Sequence, residues 1–268
     1  PFCQSHAGSG FFQRPARAGE LLVAEWQRPE GPRGAGDKAD VDVEIEALLR
    51  PCLLHLLDGD FWGEETGHSL TGAPLCWVVD PNDGTADFLK GFKGSAISVG
   101  LLENAQPVLG VVYAPVLEGR PADCIAWAKG MPSVLRNGEP VDANLSKQEW
   151  SSGSRVMVST AARMKPELNS ELCAPGRFVA MPSIAYRLAR VAAGDGVAGV
   201  SLVQVSAHDV VAGHALLKGA GGVLLNQDGE EISYMAEAQM KTVSHRCFGG
   251  SPAICRPLVN REWIRLFK

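Results

Sequence analysis

The chain reads as a mixed α/β protein, and three observations say so. Residues Asp40 to Leu57 carry Val43, Ala47, Leu48 and Leu54 at roughly helical spacing. Ser95 to Leu102 alternates small and large residues as a strand does. Pro107 to Pro115 is a second strand, joined to the first through the turn Glu103-Asn104-Ala105-Gln106. Ser183 to Ala193 is an amphipathic helix with Ser183 as its cap. At 268 residues and 46% hydrophobic content, the chain can bury a large core in one or two domains.

The remaining elements follow in order. Residues 17–27 are expected to be helical, and the Pro/Gly-rich stretch Gln27 to Asp37 an exposed, mobile loop. A short buried strand is expected at Cys76-Trp77-Val78-Val79. Asp123 to Lys129 reads as a third strand of the first half, before the turn Arg136-Asn137-Gly138-Glu139. Lys147 to Ser154 is polar and weakly patterned. The boundary between an N-terminal α+β domain (1–150) and a C-terminal α/β domain (151–268) is placed there. The second half opens with the strand Arg155-Val156-Met157-Val158 and a helix from about Arg163. Gly199 to Val203 is a short strand and Asp209 to Lys218 a helix. Val223-Leu224-Leu225 is a strand entering the turn Asn226-Gln227-Asp228-Gly229.

Charge and cysteine content exclude several classes. A net charge of −5 gives no pull toward nucleic acid or an anionic membrane. Seven cysteines, an odd number with no Cys-x-x-Cys, read as reduced thiols of a cytoplasmic protein, mostly core filler. The same spacing disfavours a zinc site of cysteine and histidine. No stretch approaches the length that spans a bilayer. Pro1-Phe2-Cys3-Gln4-Ser5-His6 has neither the charged nor the apolar block of a signal peptide.

The chemistry is concentrated in Asp80-Pro81-Asn82-Asp83-Gly84-Thr85, at the end of the buried strand. Two carboxylates three residues apart can hold a hard cation such as Mg²⁺. The backbone N–H groups of Gly84 and Thr85 can meet an anion where a helical turn begins. The same hexapeptide is also rich in turn-forming residues, so two further acidic sites matter. Glu64 and Glu65 follow Phe61-Trp62-Gly63 and can fold back beside the strand's end. Asp209 stands at the start of an apolar helix, where it can cap the helix and keep one oxygen for a cation.

Taken in order, Gly63-Glu64-Glu65, Trp77 to Thr85 and the Asp209-x-x-Ala212-Gly213 helix resemble the inositol monophosphatase superfamily. That family contains Mg²⁺-dependent, lithium-sensitive phosphomonoesterases. Asp40-Val41-Asp42-Val43-Glu44 is similar to its Asp-x-x-Val-Glu segment, and the resemblance covers residues from about 18 to 255. It implies an α/β/α/β/α sandwich. It also implies one Mg²⁺ held by Glu64, Asp80 and the carbonyl of Asn82, and a second held by Asp80, Asp83 and Asp209. Thr85 and Asp40 would then be the catalytic pair that orients and deprotonates the attacking water. Glu65 either supports a third Mg²⁺ through water or is merely exposed. Two positions depart from the family pattern: His208 replaces the usual Trp, and Pro182 replaces a frequent Gly. Because Mg²⁺ prefers oxygen, His208 is expected to pack or to border the substrate.

Gly84, Thr85, Ser183, Arg187 and Asp209 form the expected substrate side. Arg187 lies where 3′(2′),5′-bisphosphate nucleotidases carry a Lys, and a second phosphate needs such a cation. The alternative for Arg187 is an exposed, solvated helix residue. The leading expectation is therefore a nucleotidase-like enzyme, ahead of inositol or sugar monophosphate phosphatases. The expected partner is a small phosphorylated metabolite, with no nucleic-acid polymer and no membrane; a homodimer is compatible. A two-metal nuclease would need a basic surface bearing aromatics, which the sequence does not show. A non-catalytic metal-binding protein would be expected to lack Thr85 or a ligand.

Overall fold

In the computed structural model, which describes residues 7–268 with side chains from residue 17 on, helices and sheets alternate in five layers. Cys3 and the rest of the N-terminal hexapeptide, read above for a leader, lie outside the described residues. The first half runs α1 (Ala7–Trp26), β1 (Gly34–Ala35), β2 (Lys38–Ala39), α2 (Asp40–Leu56), β3 (Asp60–Gly63), β4 (His68–Ser69), β5 (Leu75–Asp83), α3 (Thr85–Leu89), β6 (Ala96–Glu103), β7 (Gln106–Ala114), β8 (Asp123–Ala128), β9 (Leu135–Arg136) and β10 (Glu139–Pro140). The second half runs β11 (Arg155–Val158), α4 (Pro166–Cys173), β12 (Arg177–Ala180), α5 (Ile184–Ala192), β13 (Ala198–Ser201), α6 (Ala207–Gly219), β14 (Val223–Leu225), α7 (Glu237–Lys241), β15 (Cys247–Gly250) and α8 (Pro252–Val259).

Side-chain alternation along the strands builds the layers. In β5, Trp77 and Val79 join Leu22, Ile45 and Leu49 of α1 and α2 on one face of an eight-stranded sheet ordered β10-β9-β8-β7-β6-β5-β3-β4. Val78 points the other way, to a core shared with Leu188 and Val191 of α5 and Val210, Val211 and Leu216 of α6. Beyond that helix pair lies a five-stranded sheet, β12-β11-β13-β15-β14, covered on its far side by α4 and α8 through Leu172, Ile254 and Leu258. The layered α/β/α/β/α fold expected from the resemblance is thus the fold observed.

Helix α6 sits unusually close to the first sheet. Gly100 and Gly110 face each other across β6 and β7. A Cβ on Gly110 would meet the Ala212 carbonyl oxygen at 2.2 Å, and one on Gly100 would meet Val211 Cγ1 at 2.6 Å. The glycines let the helix backbone lie against the strands, which brings the start of α6 beside the end of β5. Gly110→Ala is therefore expected to cost about 1–3 kcal/mol of stability, as overpacking does. A lower denaturation midpoint at an unchanged slope would show it, and an unchanged midpoint would contradict the packing described.

Some expected boundaries move. The strand expected to end at Val79 continues to Asp83, with its pairing to β6 shifted between Asp80 and Asp83. Pro81 sits in that irregularity, where a missing N–H is tolerated. The helix expected from Arg163 is a 3₁₀ turn, Thr160–Met164, followed by α4. The loop between α1 and α2, expected to be mobile, is tied down instead. Arg33 gives its backbone N–H and its guanidinium to the buried Glu25 at 2.6 Å each, and β1 and β2 form a small hairpin inside the loop. Among the described residues no helix is long and apolar enough to cross a membrane.

Candidate active site

The shifted end of β5 presents its two carboxylates in different settings. Asp80 is buried, and its Oδ1 accepts the N–H of Asn82 at 2.8 Å. Asp83 is held from the second half of the chain. Its Oδ2 accepts both Ser183 Oγ and the Ala185 N–H at 2.5 Å, so the first turn of α5 grips one carboxylate oxygen and leaves the other open. Ser183 has a φ of 57°, uncommon for a residue with a side chain, and is fixed there by its bond to Asp83 and by accepting the Tyr186 N–H at 2.9 Å.

Asp209 arrives from α6. The cap of that helix is Ser206; Asp209 lies three residues on and returns an oxygen to the Ser206 N–H at 2.5 Å. The expectation that Asp209 itself caps the helix is corrected, although one of its oxygens does remain open. Ser98 of β6 donates to the His208 carbonyl at 3.3 Å and pins the helix start to the sheet. Two groups of potential ligands result: Asp80, Asp83 and Asp209, and Glu64, Asp80 and His208. Within each group the ligand atoms lie within 4.8 Å of one another, and Asp80 belongs to both.

Helix α2 organises the other side, through residues the sequence reading missed. Glu46 is fully buried and accepts the N–H groups of Glu65 at 2.9 Å and Thr66 at 2.7 Å, and also the Thr66 hydroxyl. It thereby fixes the loop that carries Glu64. Gly63 is required beneath it, because a Cβ there would lie 2.0 Å from Glu46 Oε1. Asp42, also fully buried, accepts from Asn82 Nδ2 at 3.0 Å and from the Thr85 hydroxyl at 2.9 Å. Asp40, expected to be the partner of Thr85, is exposed on the opposite face. The buried stripe of α2 is Val41, Asp42, Ile45, Glu46, Leu49 and Leu53, whereas Val43 is 48% exposed. Two carboxylates lie within that stripe, so a reading by apolar residues alone chose the wrong face. The i, i+4 spacing of Asp42 and Glu46 between Val41, Ile45 and Leu49 was the signal available.

Burial dominates the electrostatics. It pushes Glu64 up to about 8, Asp83 and Asp209 up to about 6, and Asp80 well above the usual carboxylate range. Repulsion among the carboxylates adds to this for Glu64, Asp80 and Asp83. Burial also holds His208 down at about 4, so the ring is neutral at pH 7. A donor set of four crowded carboxylates fits a hard divalent cation, which would let all four ionise.

These shifts fix the sign of a pH effect. Acids with raised values in the folded protein keep protons that the unfolded chain has released. Without a cation, stability therefore falls as pH rises through about 4 to 8. A divalent cation takes the protons' place. The gain in Tm on adding Mg²⁺ is expected to be larger at pH 8 than at pH 5.5, measured by thermal denaturation. Equal gains at both would contradict the assignment.

Residues 15–246 match the model of the inositol monophosphatase family. The chain belongs to that family. Among its relatives is inositol monophosphatase 1 of Solanum lycopersicum, 29% identical over 223 residues, covering 78% of this chain and 77% of that protein. A histidinol-phosphatase of Mycobacterium tuberculosis is 30% identical over 203 residues, covering 71% and 74%. In fold, the chain resembles an IMPase of Thermotoga maritima with a TM-score of 0.74 at 22% identity, covering 93% of this chain and 95% of that one. The family's members are phosphatases, so the chain is a phosphoric monoester hydrolase of a metal-dependent type.

Two expected substrate-side residues of this phosphatase point elsewhere. Arg187 is neither exposed nor turned to an open site. It is 5% exposed, its Nε donates to the Ser183 carbonyl at 3.1 Å and its Nη1 to the Val200 carbonyl. Its charge lies behind Asp83 and Asp209 and favours their ionised forms. The Ser183 hydroxyl is likewise committed, to Asp83. Both residues brace the cluster from within.

Proposed function

We propose that the chain is a Mg²⁺-dependent phosphomonoesterase acting on a small phosphorylated metabolite at the Asp80 cluster. The observation that carries the reading is Asp80 shared by two ligand groups, with the Thr85–Asp42 pair beside it. Asp80, Asp83 and Asp209 would hold one cation, and Glu64 and Asp80 another. Cations bound there supply charge that neutralises the phosphoryl oxygens and acidifies a water. Glu65, half-buried, belongs to neither group of direct ligands, and the reading uses the two cations those groups would hold.

The chain's own groups handle the proton. The Thr85 hydroxyl lies 2.9 Å from Asp42 Oδ2 and 2.8 Å from the Asn82 carbonyl, with one proton to give. Burial raises Asp42 to about 6, which leaves it mostly ionised at neutral pH and able to accept that proton. The hydroxyl oxygen then keeps its lone pairs for a water. The amides of Gly84 and Thr85 open α3 and have no acceptor one turn back, which suits a phosphate oxygen.

Committed to backbone carbonyls, Arg187 removes the reason for favouring a bisphosphate nucleotide. The relatives' names point instead to inositol, sugar and histidinol phosphates. A phosphate-release screen at saturating Mg²⁺ tests the choice. Simple monophosphates are expected to be hydrolysed faster than 3′-phosphoadenosine 5′-phosphate, with Li⁺ inhibiting where Na⁺ and K⁺ have less effect. A clear preference for the bisphosphate would restore the nucleotidase reading.

A further inference from the structure

His208 stands where the family usually has Trp, and its ring lies inside the ligand cluster. One ring nitrogen forms a group with Glu64 and Asp80 oxygens, all within 4.8 Å of one another. Nε2 is 4.0 Å from Glu64 Oε1 and 3.8 Å from Asp209 Oδ1. Both separations are too long for hydrogen bonds. Two donors each about 2.1 Å from a single cation stand at most about 4.2 Å apart, so the 4.0 Å between Nε2 and Glu64 Oε1 suits a shared ion. Nδ1 is buried and has no hydrogen-bond partner. The nitrogen turned to the carboxylates is Nε2, and it is the atom that would meet a cation beside Glu64. The backbone of His208 is anchored to β6 by Ser98, so the ring projects from a fixed base.

We propose that His208 is a nitrogen ligand of the Glu64–Asp80 cation, and that this subsite takes a borderline divalent ion such as Mn²⁺, Co²⁺ or Zn²⁺ ahead of Mg²⁺. The inference rests on the two-cation reading above. Imidazole suits transition ions, whereas Mg²⁺ favours an all-oxygen shell. The Asp80–Asp83–Asp209 group, which offers oxygen only, keeps the Mg²⁺ character. The chain therefore pairs two subsites of different preference across one shared carboxylate.

The test uses Mn²⁺ itself as the probe. Full-length protein loaded with Mn²⁺ is examined by pulsed electron paramagnetic resonance, unlabelled and with ¹⁵N-histidine. The expected result is a directly bonded nitrogen signal that changes on histidine labelling and disappears in His208→Gln. Competition titrations should show His208→Gln weakening Mn²⁺ binding about tenfold or more, at least the loss that an outer-shell partner brings, with Mg²⁺ binding little changed. Bound Mn²⁺ without a histidine signal would overturn the assignment of His208 and leave the phosphatase reading intact. Failure of the wild-type protein to bind Mn²⁺ at all would overturn both.

Discussion

Asp83→Asn is expected to fold normally and to lose nearly all turnover, by roughly 10³-fold or more, beyond the 10–100-fold typical of disturbing a ligand's support. The amide oxygen can still accept the Ser183 hydroxyl and the Ala185 N–H that hold the native carboxylate. What is lost is a charged ligand of the group Asp80, Asp83 and Asp209. Removing one buried like charge also relieves repulsion, so the cation-free variant should melt at or above the wild-type temperature while gaining less from Mg²⁺. Near-normal turnover at saturating Mg²⁺ would rule out Asp83 as a ligand.

Thr85→Ala and Asp42→Asn are expected to lower turnover by about 10²–10⁴-fold, the range for acid–base assistance, with Mg²⁺ affinity little changed. The pair is buried and linked at 2.9 Å, and Asn82 Nδ2 holds the second Asp42 oxygen at 3.0 Å. Asp40→Asn is the control. Asp40 is exposed at the helix start, and its loss should leave turnover nearly unchanged. The opposite pattern, with Asp40 essential and Asp42 dispensable, would contradict the geometry. So would a Thr85→Ala enzyme with normal maximal rate.

The acids Glu64, Asp80, Asp83 and Asp209, proposed above as ligands, could be singled out in the sequence because each sits beside a local signal (a Gly, a strand end or a helix start) and matches the family's motifs. The partner of Thr85 was not. Asp40 and Asp42 are both acids at the start of one helix, and only the packing of Val41, Ile45 and Leu49 on the sheet shows which faces inward. Glu46 was invisible for a related reason, since a carboxylate inside an apolar stripe breaks the pattern used to find the stripe. Arg187 misled because sequence cannot separate a guanidinium open to ligand from one satisfied by carbonyls 4 and 13 residues away. His208 was expected to pack or border the substrate because Mg²⁺ prefers oxygen, and the place of its ring beside Glu64 and Asp209 could not be read from the sequence. The individual strands and helices were readable from alternation and helix spacing, and their layer order from the family resemblance, whereas the closeness of α6 to Gly100 and Gly110 appears only in three dimensions.

The most direct test of the central claim is phosphate release by protein stripped of cations and titrated with Mg²⁺, on a panel of inositol, sugar and histidinol monophosphates. The account predicts no release before Mg²⁺ is added, a rise that saturates as the cluster fills, and loss of that rise in Asp83→Asn. Release at full rate from stripped protein, or none on any monophosphate at any Mg²⁺ concentration, would contradict it.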